Sequence, residues 1–167
     1  MQAASPTLAR EEQVVILELD GDPYGIDIGK VQEIIRMKPI THVPNSPPFI
    51  EGVTNLRGRV VPVMDLRKRF GGAAREPTRR TRIVVVEIGP HTLGLIVDAV
   101  SEVLRVPADR VEPPSSLIAE TESKLVRAVA KVDDRLVLLL DLEYLPSEVD
   151  RLDLDTVGAD RTIEGRD

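Results

Sequence analysis

The side chains in this sequence best suited to chemistry are few and scattered. His42 and His91 are its two histidines, and neither lies in a His-x-x-x-His or carboxylate spacing that would hold a metal ion. A surface or structural role is the simpler reading of each. No cysteine is present, which removes disulfides, thiolate nucleophiles and thiolate metal sites. No serine sits in a Gly-x-Ser-x-Gly elbow, and neither glycine-rich phosphate motif occurs. Carboxylates are plentiful, but Asp65 and Asp141 close apolar segments at matching places. That placement points to a repeated structural role rather than to acid–base work. No catalytic residue, metal or cofactor is expected, and the chain reads as a non-enzyme.

Charge and composition narrow the partners. The net charge is −6, whereas a general nucleic-acid binder needs a basic face to displace counterions from phosphate. The aromatics are only Tyr24, Phe49, Phe70 and Tyr144, too few for the stacking platforms of single-strand binders. Arginines and lysines do gather between Arg67 and Arg82. Such a segment could bind phosphate or an acidic membrane surface, but its loose spacing favours a solvated linker. The N-terminus lacks the apolar core of a signal peptide, and nothing reaches the ~18 uncharged apolar residues of a membrane span. A cytoplasmic protein without membrane insertion is expected.

The elements that would position any binding group come from a duplication. Val14-Val15-Ile16-Leu17-Glu18-Leu19 reads against Ile83-Val84-Val85-Val86-Glu87-Ile88. At the same offset Tyr24-Gly25-Ile26 meets Leu93-Gly94-Leu95, and Val31-Gln32-Glu33 meets Val100-Ser101-Glu102. With seven more residues in the second copy, residues 52–66 align with residues 128–142, and both stretches end in Asp-Leu. Branched aliphatics dominate, which favours strands. Each copy reads as two strands about a turn, a short third segment that is either strand or helical turn, and a closing hairpin. Four or five short strands per copy suggest a small barrel. Runs such as Leu136-Val137-Leu138-Leu139-Leu140 are apolar on both faces, so one face should fill its own barrel and the other should pack on the sister barrel.

The expected layout is an N-terminal tail over residues 1–12, a first barrel over 13–70 and a basic linker over 71–82. A second barrel over 83–146, with the chain free to cross between barrels, and an acidic tail or helix over 147–167 complete it. The last segment, Ile163-Glu164-Gly165-Arg166, resembles an engineered protease site. The two closing hairpins differ where a duplicated barrel should need them alike. The first turns at Arg57-Gly58-Arg59 and carries Asn55-Leu56-Arg57-Gly58, while the second carries Lys131-Val132-Asp133-Asp134. Pro62 cannot donate a ladder hydrogen bond, which predicts an edge or bulged strand there. An edge strand beside a charged turn is a plausible docking surface.

The stretch from Gly52 to Leu66, with Tyr24-Gly25-Ile26-Asp27-Ile28 and Val31-Gln32-Glu33-Ile34, resembles the CheW-like domain family of bacterial chemotaxis adaptors. The likeness runs from about Gln13 to Leu145. It implies a mainly β fold of two five-stranded SH3-like barrels around a shared hydrophobic core. It implies a scaffold that couples chemoreceptors, through their cytoplasmic tips, to the regulatory domain of the histidine kinase CheA at membrane-bound arrays. Kinase contacts would fall on Gly52, Val53, Asn55, Leu56, Arg57, Gly58 and Val60. Val31 and Glu33 match positions implicated in partner contacts and are grouped with Val97 and Val100 as the receptor surface. The chain has no room for kinase or receiver domains, so a stand-alone adaptor is expected. The alternatives are an adaptor of a related pathway, such as pili or surface sensing, and an enzyme with a site between the barrels.

Overall fold

The computed structural model describes residues 11–73, 75–114 and 125–149. The expectations for the tail to residue 10, the end of the acidic tail from residue 150 and the 163–166 segment fall outside these. Among the described residues eleven strands run in chain order: β1 (Glu12–Leu19), β2 (Asp22–Asp27), β3 (Val31–Arg36), β4 (Ile50–Leu56) and β5 (Arg59–Asp65) in the first copy. The second copy supplies β6 (Arg82–Ile88), β7 (His91–Val97), β8 (Ala99–Val106), β9 (Val111–Glu112), β10 (Val126–Val132) and β11 (Arg135–Leu140). The ambiguous Val31–Arg36 segment is thus a strand.

Neither sheet is drawn from one copy alone. The six-stranded sheet has the order β8-β1-β2-β11-β10-β9, and the five-stranded sheet has the order β3-β6-β7-β5-β4. Each joins the opening hairpin of one copy to the third strand and closing hairpin of the other. The ranges 13–70 and 83–146 therefore mark the repeat copies, and the sheets form by exchange across them. The same device holds both sheets together: a parallel pairing of β2 with β11 in one and of β7 with β5 in the other. At these seams the two repeated glycines face a neighbouring strand closely. A Cβ on Gly25 would lie 2.8 Å from a Leu139 methyl across its seam, and one on Gly94 would lie 3.5 Å from a Val63 methyl across its seam and 2.9 Å from an Ile83 methyl on β6.

The duplication extends to the irregularities. The third strands skip one residue in their ladders, Gln32 in β3 and its counterpart Ser101 in β8. The closing hairpins skip Glu51 and its counterpart Arg127. A bulge sharpens the twist of a strand, and four bulges at matching places let each sheet curl around a small core. One core gathers Val14, Ile16, Ala130, Val137 and Leu139, and the other Leu56, Val61, Val63, Ile83, Val85 and Ile96. The opposite faces meet in a larger shared cluster that includes Leu17, Ile26, Met64, Leu66, Val84, Leu95, Val97 and Leu140. Strands apolar on both faces follow from this arrangement, as each buried Val, Ile or Leu contributes about 1.5–3 kcal/mol of transfer free energy.

Candidate docking surface

The first closing hairpin owes its shape to its own signature residues. Arg57 and Gly58 both have positive φ, 53° and 84°, which suits a tight two-residue hairpin turn. Asn55 is two residues before the glycine's neighbour for a reason: its Oδ1 accepts a hydrogen bond from the Gly58 N–H at 2.8 Å. Leu56 points the other way and is buried in the core of the five-stranded sheet. Gly52 holds the base of the hairpin. Its φ is 143°, and a Cβ there would stand 1.9 Å from the Thr41 carbonyl oxygen. That close approach lets Thr41 and Val53 exchange backbone hydrogen bonds of 2.8 and 2.9 Å.

Two expectations change here. β5, which carries Pro62, is an interior strand with β4 on one side and β7 on the other. Its pairing with β7 begins only at Val63, so the missing proline donor falls just before that ladder, and the hairpin's bulge lies at Glu51 instead. The edge strand is β4, and it is not open along its length. The Thr41 bridge covers Val53, Thr54 Oγ1 donates to the Pro39 carbonyl, and Lys38 Nζ donates to the Asn55 carbonyl. Docking by strand addition at β4 is therefore blocked by the chain's own 38–41 segment.

Of the residues assigned to the kinase contact, Asn55, Arg57, Gly58 and Val60 are exposed, whereas Gly52, Val53 and Leu56 are buried. The buried three set the hairpin's position and do not offer side chains to a partner. Among the residues assigned to the receptor contact, Val97 is fully buried in the shared cluster, a correction to its expected surface role. Val31 and Val100, which are repeat counterparts, are half-buried and pack against that same cluster.

Glu33 joins the two groups. Arg57 grips its carboxylate through both guanidinium nitrogens, Nη1 to Oε2 and Nη2 to Oε1, the latter at 2.8 Å. The fork keeps the Glu33 carboxyl below its ordinary range, because the hydrogen bonds from Arg57 favour the charged form. The same contact raises the Arg57 pKa. Glu33 lies on the edge strand β3, and Arg57 lies at the turn beyond the opposite edge strand β4, so this pair latches the curled sheet. In the second copy the repeat counterpart of Glu33, Glu102, meets Arg135 at 3.3 Å. Both sheets carry the latch, but only the first places its arginine on the turn, 71% exposed. Exposed apolar side chains flank the latches at matching positions as well, Ile34 and Val60 in one sheet and Val103 and Leu136 in the other. The recurrence of both glutamates was visible in sequence; their partners were not.

A second polar cluster lies at the end of β5. The Asp65 carboxylate accepts from the Arg67 backbone N–H and Nε, and from Nη2, all at 2.9 Å. Arg67 Nη1 also donates to Asp98 at 2.9 Å, and Asp98 in turn accepts from the Asp20 N–H at 2.7 Å. The guanidinium is buried, and these two carboxylates keep its pKa high. At the equivalent point of the second copy, Asp141 accepts from the Glu143 N–H, and Glu143 pairs with Lys30 at 2.7 Å. Both aspartates thus have the structural role their placement implied. His42 and His91 stand at the surface, and among the described residues no group of three His, Cys, Asp or Glu side chains could hold a metal ion. No helix among them is long and apolar enough to cross a membrane.

Comparison with known proteins gives this geometry a family. The family model for the CheW-like domain matches residues 13–150. The chain belongs to the CheW-like domain family. It is 34% identical over 146 residues to the chemotaxis protein CheW of Klebsiella aerogenes, covering 87% of this chain and 88% of that one. It is 33% identical over 140 residues to the probable chemotaxis protein CheW of Rhizobium etli, covering 84% and 90%. Among solved structures it is similar to the scaffolding protein TtCheW from Thermoanaerobacter tengcongensis, with a TM-score of 0.75 and 40% identity over 80% of this chain and 91% of that one. The mainly β fold expected from the CheW-like resemblance is the observed one, with curled sheets of six and five strands where two five-stranded barrels were expected.

Proposed function

We propose that this chain is a chemotaxis scaffold that holds the cytoplasmic tips of chemoreceptors and the regulatory domain of the histidine kinase CheA in one complex. One observation carries this reading. The two copies match in strand order, bulges and caps, yet diverge at the tip of the closing hairpin, where the first exposes Arg57 on a rigid turn and the second exposes Asp133. Shared internal geometry with a changed surface is what a binding element on a duplicated frame requires. The kinase contact is assigned to Asn55, Arg57, Gly58 and Val60, and the receptor contact to the β3 side near Val31 and Glu33, with Val100 beside it. The scaffold acts by geometry: a rigid body with two surfaces turns a change in receptor packing into a change in kinase position. The family relatives and the scaffold named in the similar structure support this reading, and cytoplasmic placement at receptor arrays follows from it.

The test is calorimetric titration of the full chain with a CheA regulatory domain and with a receptor-tip fragment. Arg57→Glu should weaken kinase binding by tenfold or more, about 1.4 kcal/mol per tenfold. It also sets two carboxylates together at Glu33, so the reciprocal variant Glu33→Arg/Arg57→Glu is measured alongside. That swap restores the latch with reversed polarity, so recovered thermal stability without recovered kinase affinity assigns the arginine to docking. Wild-type affinity of Arg57→Glu for both partners would remove the hairpin from the interface.

A further inference from the structure

The basic cluster set aside as a solvated linker has a more specific geometry than its sequence suggests. Arg36 ends β3 and stands directly across the ladder from Arg82, which begins β6. Like charges directly opposite each other on paired strands are destabilising. Arg82 turns its Nη1 onto the carbonyls of Arg79 and Thr81, at 2.7 and 2.9 Å, which places residue 79 beside this pair. Among the described residues, no carboxylate pairs with Arg36, Arg79 or Arg82, although Arg36 and Arg79 are exposed. Next to them lies an open cleft of about 550 Å³, lined in part by Arg75, Arg79 and Arg80. Of its three acids, Glu18 and Asp98 are engaged by Arg80 and Arg67, Glu76 is the third, and Arg75 is matched by Asp20. Arg36, Arg79 and Arg82 outnumber Glu76, so a local surplus of guanidinium groups remains, in a chain whose net charge is −6.

We propose that this corner, built from Arg36, Arg79 and Arg82 with the rim of the adjoining cleft, is an interaction surface for an acidic polypeptide segment. The cross-strand arginine pair opposes folding; Arg82 is held by two carbonyls, but among the described residues no carboxylate neutralises either arginine, and carboxylates brought by another molecule would. Guanidinium groups form planar forks that match carboxylates. Spread along a strand end, a turn and a cleft, they suit a chain with several acids better than one compact anion. Neither a glycine-rich phosphate loop nor aromatic platforms for bases occur in the sequence. The surface is distinct from the docking hairpin: Arg82 pairs with Val97 at one end of the β6–β7 hairpin, whereas Arg59 of the docking hairpin donates to Thr92 near the other. The inference stands whether or not the kinase assignment does.

The test uses the full chain and a fluorescent twelve-residue peptide of alternating Glu and Gly, with a Gln–Gly peptide as its neutral match. Anisotropy is read across a sodium chloride series. The Glu peptide should bind at least tenfold more tightly than the Gln peptide, with affinity falling as salt rises. Arg36→Gln/Arg79→Gln should lower Glu-peptide affinity by about tenfold while melting no lower than wild type, since it relieves repulsion and leaves the Arg82 carbonyl contacts in place. Arg110→Gln, a cation removed elsewhere on the surface, should change affinity less than twofold. The proposal is overturned if the two peptides bind alike, if the double variant binds like wild type, or if Arg110→Gln costs as much. It is equally overturned if millimolar inorganic phosphate displaces the peptide at matched ionic strength, which would make the site a small-anion site.

Discussion

Replacing Arg67 by Met should destabilise the protein more than any single change at an exposed ion pair. The Met side chain keeps the apolar stem and removes the charge. Asp65 would lose its Nε and Nη2 donors and keep only the backbone N–H of residue 67, at 2.9 Å to Oδ1. Its side chain is 3% exposed, so water cannot replace them. Breaking a buried pair from one side costs about 3–5 kcal/mol. For a protein of this size each kcal/mol moves the midpoint by roughly 2–4 °C, so a fall of about 6–20 °C is expected. Asp98→Asn is the internal control. It weakens the Nη1 bond, but the side chain of Asp98 is 20% exposed and Arg67 keeps its fork to Asp65, so about 1.5–3 kcal/mol is the ceiling. Differential scanning calorimetry on both variants decides the matter. A midpoint for Arg67→Met within about 2 °C of wild type, or a larger fall for Asp98→Asn, would refute the claim that Asp65 depends on this guanidinium.

Gly94→Ala places a methyl 2.9 Å from the Ile83 Cγ2 and 3.5 Å from the Val63 Cγ2, both on stiff β-branched side chains, so about 1–3 kcal/mol should be lost in a chemical-denaturation titration. Gly52→Ala is worse, because its Cβ would meet a backbone carbonyl at 1.9 Å; expression of a cooperatively melting Gly52→Ala protein would contradict the hairpin base described above. Because the Glu33 carboxyl is held below its ordinary range by Arg57, the latch contributes stability that is present above the unfolded-state carboxylate pKa and lost as pH falls through the lowered folded value. The difference in melting temperature between wild type and Arg57→Gln should therefore be present at neutral pH and close in acid, and a pH-independent difference would count against the latch. A chain ended near residue 76 leaves β1 and β2 without β8 and β11, and leaves β3 and β5 without β6 and β7. It should give no dispersed amide spectrum, and a monomeric, cooperatively melting half would refute strand exchange.

What could be read from sequence was whatever repeats locally. The offset that aligns Gly25 with Gly94 also aligns the bulges at Gln32 and Ser101, the longer one that aligns Asp65 with Asp141 also aligns those at Glu51 and Arg127, and the doubly apolar strands implied a core shared between barrels. The partner of each strand was not legible. β1 and β6 carry the same pattern, so the pattern alone cannot tell whether β1 pairs with β3 or with β8. Only the parallel seams at Gly25 and Gly94 select the exchanged pairing. Val97 failed as a surface residue for a related reason. It ends a strand that is apolar on both faces, and its burial depends on a cluster gathered from seven other strands and turns rather than on its neighbours in sequence. Glu33 and Arg57 are far apart in the chain, and their contact exists only because the sheet curls until its two edges meet.

The exchange itself bears on how such a protein can work. In each sheet the opening hairpin belongs to one copy and the remaining strands to the other, so the crossovers β2 to β3 and β7 to β8 are covalent ties between the two bodies. One tie is reinforced by the buried Asp65–Arg67–Asp98 cluster, which reaches the β1–β2 turn through the Asp20 N–H. The other has, at the equivalent place, the exposed Lys30–Glu143 pair, and an exposed pair of this kind contributes at most about 1 kcal/mol. The shared aliphatic cluster fills the space between the ties, and close-packed interiors transmit displacement rather than absorb it. A load placed on β3 near Glu33 therefore reaches the Arg57 turn through one ion pair and through the core beneath it. A frame of this stiffness keeps its surfaces in fixed relation, which is the physical requirement for the scaffold proposed above.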